Sequence, residues 1–238
     1  MKKGLGVLSV FMLFVLSGCM LHVSGNEEST EIEVEKDRAK EMLLELKIGA
    51  GELNVESGAT EWVEGTIDYN YDKLEPEVSY KVKGDKGVAV IEQGKNGFFD
   101  KINIGEIDNH WDLRLNDGIP MDLIINSGAS DTMLDLKGLQ LNNLEVNAGV
   151  GDITIDLGGD WKESFEASLD MGVGESTIIL PSEVGVKIEA SKGIGKSNLV
   201  GFISQGDGVY VNDAYEDADV VINLKTTLGV GEATFKME

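Results

Sequence analysis

The feature that most constrains this chain is a short glycine turn that recurs between runs of alternating apolar and polar residues. Its clearest copy lies in Leu144 to Leu157, LEVNAGVGDITIDL, where Gly149-Val150-Gly151-Asp152 joins two such runs. Aligned on the first glycine, related turns begin at Gly49 (GAGE), Gly128 (GASD), Gly172 (GVGE), Gly193 (GIGK) and Gly229 (GVGE), and the central copies are spaced 21, 23 and 21 residues apart. Five, three and one residues before the glycine the chain is mostly apolar or small, as at Leu44, Leu46 and Ile48, or Leu144, Val146 and Ala148. Four and six residues after it the pattern resumes, with Leu53 and Val55, or Ile153 and Ile155. Period two on both sides of a turn predicts strand, turn, strand with one buried face. One copy cannot bury that face alone, whereas copies stacked about 4.8 Å apart pair with the copy above and below. Glycine suits such a turn because it accepts positive φ and lets coils approach closely. The structural turn positions are therefore Gly49, Gly51, Gly128, Gly149, Gly151, Gly172, Gly174, Gly193, Gly195, Gly229 and Gly231.

Thirty glycines against three prolines in 238 residues, with few aromatics, favour many short strands joined by glycine turns, an all-β class. The length suits one domain or a small pair. A formal charge of −23 argues against nucleic acid as a partner, since binding it rests on cationic neutralisation of phosphates.

The N-terminus reads as a targeting segment: Lys2 and Lys3 form a basic head, Leu5 to Leu16 an apolar core too short for an ordinary membrane helix, and Leu16-Ser17-Gly18-Cys19 closes it. This resembles the bacterial lipoprotein signal. By that resemblance residues 1–18 are removed, and Cys19 takes a diacylglyceryl thioether with acyl chains of the palmitate class and anchors an extracytoplasmic protein to the membrane. Two chains hold far more firmly than one. Because Cys19 is the sole cysteine, an intramolecular disulfide and a cysteine-based zinc site are excluded. Residues 19–30 are polar and aperiodic and read as a tether. The domain is expected over 31–238, with N-terminal strands in 31–118 and regular repeats in 119–238. Within the first part, Glu61 to Tyr71, Glu77 to Val82 and Lys86 to Gln93 read as strands, with Gly84-Asp85-Lys86-Gly87 as a hairpin signal. Gly94 to Asn109 reads as a long loop whose Phe98 and Phe99, with Trp111 beyond it, are expected as exposed aromatics. A second hairpin, at Gly206-Asp207-Gly208, interrupts the chain before the last repeat.

Four stretches, LELKIGAGELNVESGA at 44–59, PEVSYKVKGDKGVAVIEQG at 76–94, IPMDLIINSGASD at 119–131 and VYVNDAYEDADVVINLKTTLGVGEATF at 209–235, resemble the toast-rack domain of bacterial envelope proteins. That family is related to adhesin-like domains of comparable repeats and to the extracytoplasmic part of proteins in the cell-wall stress response. The resemblance implies a right-handed β-solenoid without enzymatic activity.

Candidate chemistry is sparse. Lys192-Gly193-Ile194-Gly195-Lys196-Ser197 has the end of a phosphate loop, but that motif needs a glycine where Ala190 stands and a helix after it. Calcium-binding nonapeptides place aspartate two residues after the second glycine, whereas Asp152 is adjacent to Gly151. His22 and His110 are the only histidines, too few for a histidine-rich metal site. No catalytic residue, metal ligand or cofactor site is therefore assigned. The position three after each first glycine is charged in all six copies: Glu52, Asp131, Asp152, Glu175, Lys196 and Glu232. Solvated turn residues that keep an edge soluble explain this row; an acidic stripe for a cationic peptide, a metal ion or a basic envelope protein is the alternative. The expected protein is a non-enzymatic lipid-anchored surface module concerned with envelope stress, or an adhesin-like module binding glycan or matrix.

Overall fold

A computed structural model describes residues 27–94 and 107–238. The leader, Cys19, His22, most of the tether, Phe98 and Phe99 lie outside the described residues. The rest forms fourteen strands: β1 (Glu28–Val34), β2 (Glu41–Ser57), β3 (Val63–Tyr69), β4 (Pro76–Lys83), β5 (Lys86–Gln93), β6 (Asn109–Leu115), β7 (Pro120–Asp135), β8 (Gln140–Val150), β9 (Ile153–Asp156), β10 (Phe165–Leu180), β11 (Gly185–Val200), β12 (Ile203–Gly206), β13 (Val209–Val211) and β14 (Val221–Met237). Strand structure thus begins at Glu28, inside the segment expected as tether. Both hairpin signals are hairpins, β4 with β5 around Gly84 and β12 with β13 around Asp207.

Each turn copy is a corner between two arms. In β2 the buried residues are 42, 44, 46, 48 and 50, then 53 and 55. An unbroken strand would bury 52 and 54 instead. The change of phase falls at Gly51, whose φ of +130° is open to glycine and strained for other residues. It turns the second arm so that both arms face one core. Gly151, Gly174, Gly195 and Gly231 repeat this conformation. The first glycine of each corner is constrained differently, which corrects the expectation of a special backbone conformation at Gly149 and Gly172. None of the first glycines has positive φ. A Cβ on Gly149 would instead collide with the Gly128 carbonyl, and one on Gly172 with the Gly149 carbonyl.

The same glycine contacts give the stacking order. The corner strands are parallel and in register: β2 on β7, β7 on β8 and β9, these on β10, β10 on β14, and β14 on β11. Stacking in sequence order therefore holds for the first four copies and fails for the last two, because β14 is wedged between β10 and β11. Outside the corners, short connections link the stacked strands and add buried Leu136 and Leu139, Leu157 and Trp161, and Leu180 and Val184 to the core. Trp161 packs 4.6 Å from Phe165 and donates its Nε1 proton to the Leu157 carbonyl at 2.7 Å. On the outer faces, Lys86 reaches Asp122 at 2.5 Å, and that hydrogen bond raises the lysine above its usual pKa.

The β2 end of the stack is finished by antiparallel strands and by two amides. The first arm of β2 is covered by β5 and then β4. Its second arm is covered by β6, β3 and β1 in turn. At the corner, where another coil would lie, Gln93 Oε1 accepts the Gly49 and Ala50 amide protons at 2.7 and 3.3 Å. Buried Asn109 donates to the Ala50 carbonyl at 2.6 Å and accepts the Trp111 Nε1 proton at 3.0 Å. Trp111 is fully buried, which corrects its assignment as an exposed aromatic; alternation within β6 places it on the inner face. Gln93→Ala should remove about 1–3 kcal/mol of stability, because it leaves partly buried amide protons unsatisfied. Urea midpoints of the parent and variant measure this.

Candidate interaction surface

Register brings the charged turn position into one row. In stack order it reads His110, Glu52, Asp131, Asp152, Glu175, Glu232 and Lys196. The five acids predicted from the sequence, Glu52, Asp131, Asp152, Glu175 and Glu232, do stand on neighbouring strands. The row ends on Lys196 at one side, and at the other it passes from Glu52 to His110 of β6 and on to exposed Asp68 of β3. His110 is a member that sequence spacing missed, because β6 carries no glycine corner.

Most of these carboxylates also have local work. Asp131 Oδ1 accepts the backbone N–H of Asp152 at 3.1 Å, and Asp152 Oδ1 accepts that of Glu175 at 3.0 Å. Each aspartate thereby satisfies an amide in the corner of the next coil, as a short acidic side chain does in turns. Glu52 lies 2.9 Å from His110 Nδ1, and His110 Nε2 lies 3.3 Å from Asp112. Glu232 accepts from Asn198 Nδ2 at 2.6 Å. Among the described residues no group of three or more His, Cys, Asp or Glu side chains is placed to hold a metal ion. The Lys192 to Ser197 stretch runs within β11 and forms that strand's corner.

A second row, not predicted from sequence, runs beside the acids. The residue after the first glycine is Ala50, Ala129, Val150, Val173, Val230 and Ile194 in stack order. Ala50 is buried, but Val150, Val173, Val230 and Ile194 are 55, 49, 44 and 74% exposed. These four are half of the large exposed apolar side chains among the described residues. Scattered exposed apolar residues need no explanation, whereas aligned neighbours form a patch. The sequence signal was available in the V, V, I and V of GVGD, GVGE, GIGK and GVGE, but period-two counting assigns that position to the buried side.

Residues 23–179 match the family described as the N-terminal domain of toast_rack, DUF2154. A solved structure of a putative cell adhesion protein from Clostridium sporogenes ATCC 15579 is 30% identical with a TM-score of 0.86, over 90% of this chain and 100% of that one. A putative adhesin from Bacteroides fragilis NCTC 9343 matches at 10% identity and a TM-score of 0.33, over 90% of this chain and 98% of that one. A putative lipid binding protein from Parabacteroides distasonis ATCC 8503 matches at 11% identity and a TM-score of 0.28, over 90% and 97%. The last two likenesses are too low to bear on the argument. Comparison with curated proteins gave no match. With an all-β fold built on stacked glycine corners and a family match over most of its length, this chain belongs to the toast-rack N-terminal domain family.

Proposed function

We propose that this chain is a non-enzymatic adhesion module, held outside the cell membrane by a lipid on Cys19, whose coils wind as a right-handed β-solenoid and present the corner rows to a partner. The observation that carries this reading is the line of exposed Val150, Val173, Val230 and Ile194, in register and flanked by the acidic row. Exposed aligned apolar residues supply contact area, and the acids select a partner of opposite charge. The full-length likeness to a putative cell adhesion protein favours adhesion over the stress-sensing role that the family resemblance also implies. A basic envelope protein or a cationic amphipathic peptide fits both rows.

Anchoring is tested by fractionating cells that express Cys19→Ala, which should remain unprocessed or be shed into the medium. Processing and membrane retention like the parent's would overturn the lipoprotein reading. The surface is tested with an amphipathic peptide of alternating lysine and leucine. Serine at Val150, Val173 and Val230 together should weaken binding about tenfold, roughly 1.4 kcal/mol from three partly exposed apolar contacts. Neutralising Asp152, Glu175 and Glu232 should weaken binding and its salt dependence more than neutralising Glu28, Glu31 and Glu33 of β1. Equal losses in the two charge variants would mean a diffuse field and no site.

A further inference from the structure

The two ends of the corner stack are finished unequally. At the β2 end both arms and the corner are covered by strands and amides. At the β11 end only the first arm is. There β13 pairs antiparallel with Lys187 to Glu189, and β12 pairs with β13. Buried Asn212 accepts the Val186 amide proton at 2.9 Å and donates to the Val184 carbonyl at 2.7 Å. The Ala190 N–H donates to the Gly208 carbonyl at 2.8 Å, and there the covering stops. Among the described residues, Ser191 to Val200 pairs on one side only, with β14. Alternate backbone groups of this arm therefore point away from the stack without a strand to receive them.

The core row that ends here is open as well. Val55, Leu134, Ile155, Ile178 and Phe235 are buried in register, whereas Leu199 of the same row is half-buried. Val200 and Ile203 beside it are 60 and 50% exposed. Among the described residues, the other edges of the sheet carry the devices that discourage pairing, namely charge and shortness. Exposed Glu28, Glu31 and Glu33 guard β1, β4 carries Glu77, Lys81 and Lys83, and β12 has four residues. From Ile194 to Val200 the open arm has Lys196 as its one charge.

We infer that the second arm of β11 is a strand-acceptor edge, which binds an extended segment of a partner protein that is acidic on one face and apolar on the other. Charge complementarity selects that chemistry. In a chain of net charge −23, the outer faces of the last two strands present exposed Lys196 and Lys236, and Glu232, the register partner of Lys196, is engaged by Asn198. Acidic side chains on the incoming strand meet Lys196, its apolar side chains continue the Ser197 and Leu199 rows, and its backbone receives the free groups of the edge. The strand β1 shows that such a segment fits this sheet. Its ESTEIEV sequence puts Ile32 and Val34 inward and Glu31 and Glu33 outward at the opposite edge. From β1 to β11 that sheet has nine strands, so at about 4.8 Å per strand the acceptor edge lies roughly 38 Å from β1. This edge meets the corner rows at Ile194 and Lys196, but it is built on the unpaired backbone of 195–200 rather than on the rows' exposed side chains, and the inference does not depend on the rows binding a partner.

The test titrates the purified full chain with the blocked peptide ESTEIEV and with KSTKIKV as its charge-reversed control, read by fluorescence anisotropy and amide hydrogen exchange. The acidic peptide should bind about tenfold more tightly than the basic one and slow exchange of the amides in 195–200. Lys196→Glu should weaken it by a similar factor, and Val200→Lys should weaken both peptides; thermal unfolding verifies that these exposed-site variants remain folded. Equal binding of the two peptides, or protection confined to residues outside 191–203, would overturn the inference. So would a lack of protection at millimolar peptide. Self-association of the parent alone, abolished by Val200→Lys, would assign the edge to a second copy and overturn the partner-strand reading. Protection at 150–175 in place of 195–200 would transfer binding to the corner rows, so the two proposals fail separately.

Discussion

Gly174→Ala should destabilise the protein by about 3–5 kcal/mol, because it combines backbone strain with a collision that packed coils cannot relieve. Gly174 has φ of +149°, and a Cβ there would run into the Gly151 carbonyl of the preceding coil. Two other glycines separate these causes. Gly149 has no positive φ, but a Cβ on it would strike the Gly128 carbonyl, so Gly149→Ala should cost about 1–3 kcal/mol from overpacking alone. Gly58 has φ of +105° and nothing within 4 Å of the Cβ position, so Gly58→Ala should cost about 1–2 kcal/mol from strain alone. Denaturant midpoints at unchanged m-value give the three differences. If Gly58→Ala costs as much as Gly174→Ala, the coils are free to move apart and close stacking is not what holds the corner glycines.

Much of this architecture was legible because the corner leaves two independent marks in the sequence. One is the pair of glycines. The other is the odd spacing of five between the last inward residue before the corner and the first after it, as from Ile48 to Leu53 or from Leu228 to Ala233. Period two on each side fixed which residues are buried, and Leu44, Leu46, Leu53 and Val55 all are. The acidic row followed from the same alignment, since residues at one repeat position must become neighbours when copies stack in register.

What was not legible depends on which copy neighbours which. Gly172 and Gly229 begin identical GVGE corners, and the inward residues of β10, β11 and β14 are interchangeable in kind, so local pattern does not distinguish the sequential order from the observed one. The physical clue is the 36-residue interval from Gly193 to Gly229, long enough for the chain to form the β12–β13 hairpin and cross β11. Nor could repeat counting find the ends of the stack. Gln93 and Asn109 replace a coil by side-chain amides, and their role follows from position beside Gly49 and Ala50 rather than from any period. Trp111, Leu113 and Leu115 read correctly as the start of a strand, but the long glycine- and asparagine-rich stretch before Trp111 suggests an exposed aromatic, whereas every second residue of that strand is buried.

The wedged position of β14 leads to the second large effect. Phe235 is 1% exposed, with Ile178 of β10 on one side and Leu199 of β11 on the other. Phe235→Ala should therefore cost about 3–5 kcal/mol, the range for a large aromatic lost from a packed core, whereas Leu199→Ala at the half-open end should cost about 1–2 kcal/mol. Ring size contributes to that contrast, so a truncation after Val220 gives the sharper discrimination. In a stack ordered by sequence, loss of the last strand would bare one end and leave β11 paired with β10. In the observed order it removes the one strand that, among the described residues, pairs with both arms of β11, and it bares one edge of β10 at the same time. Amide exchange in β11 and β13 should then rise toward the unfolded rate while β2 and β7 stay protected, or the whole domain should unfold as one unit. Retained protection of β11 in the truncated chain would show that β10 can receive it directly, and that the insertion of β14 is not required to hold the distal end together.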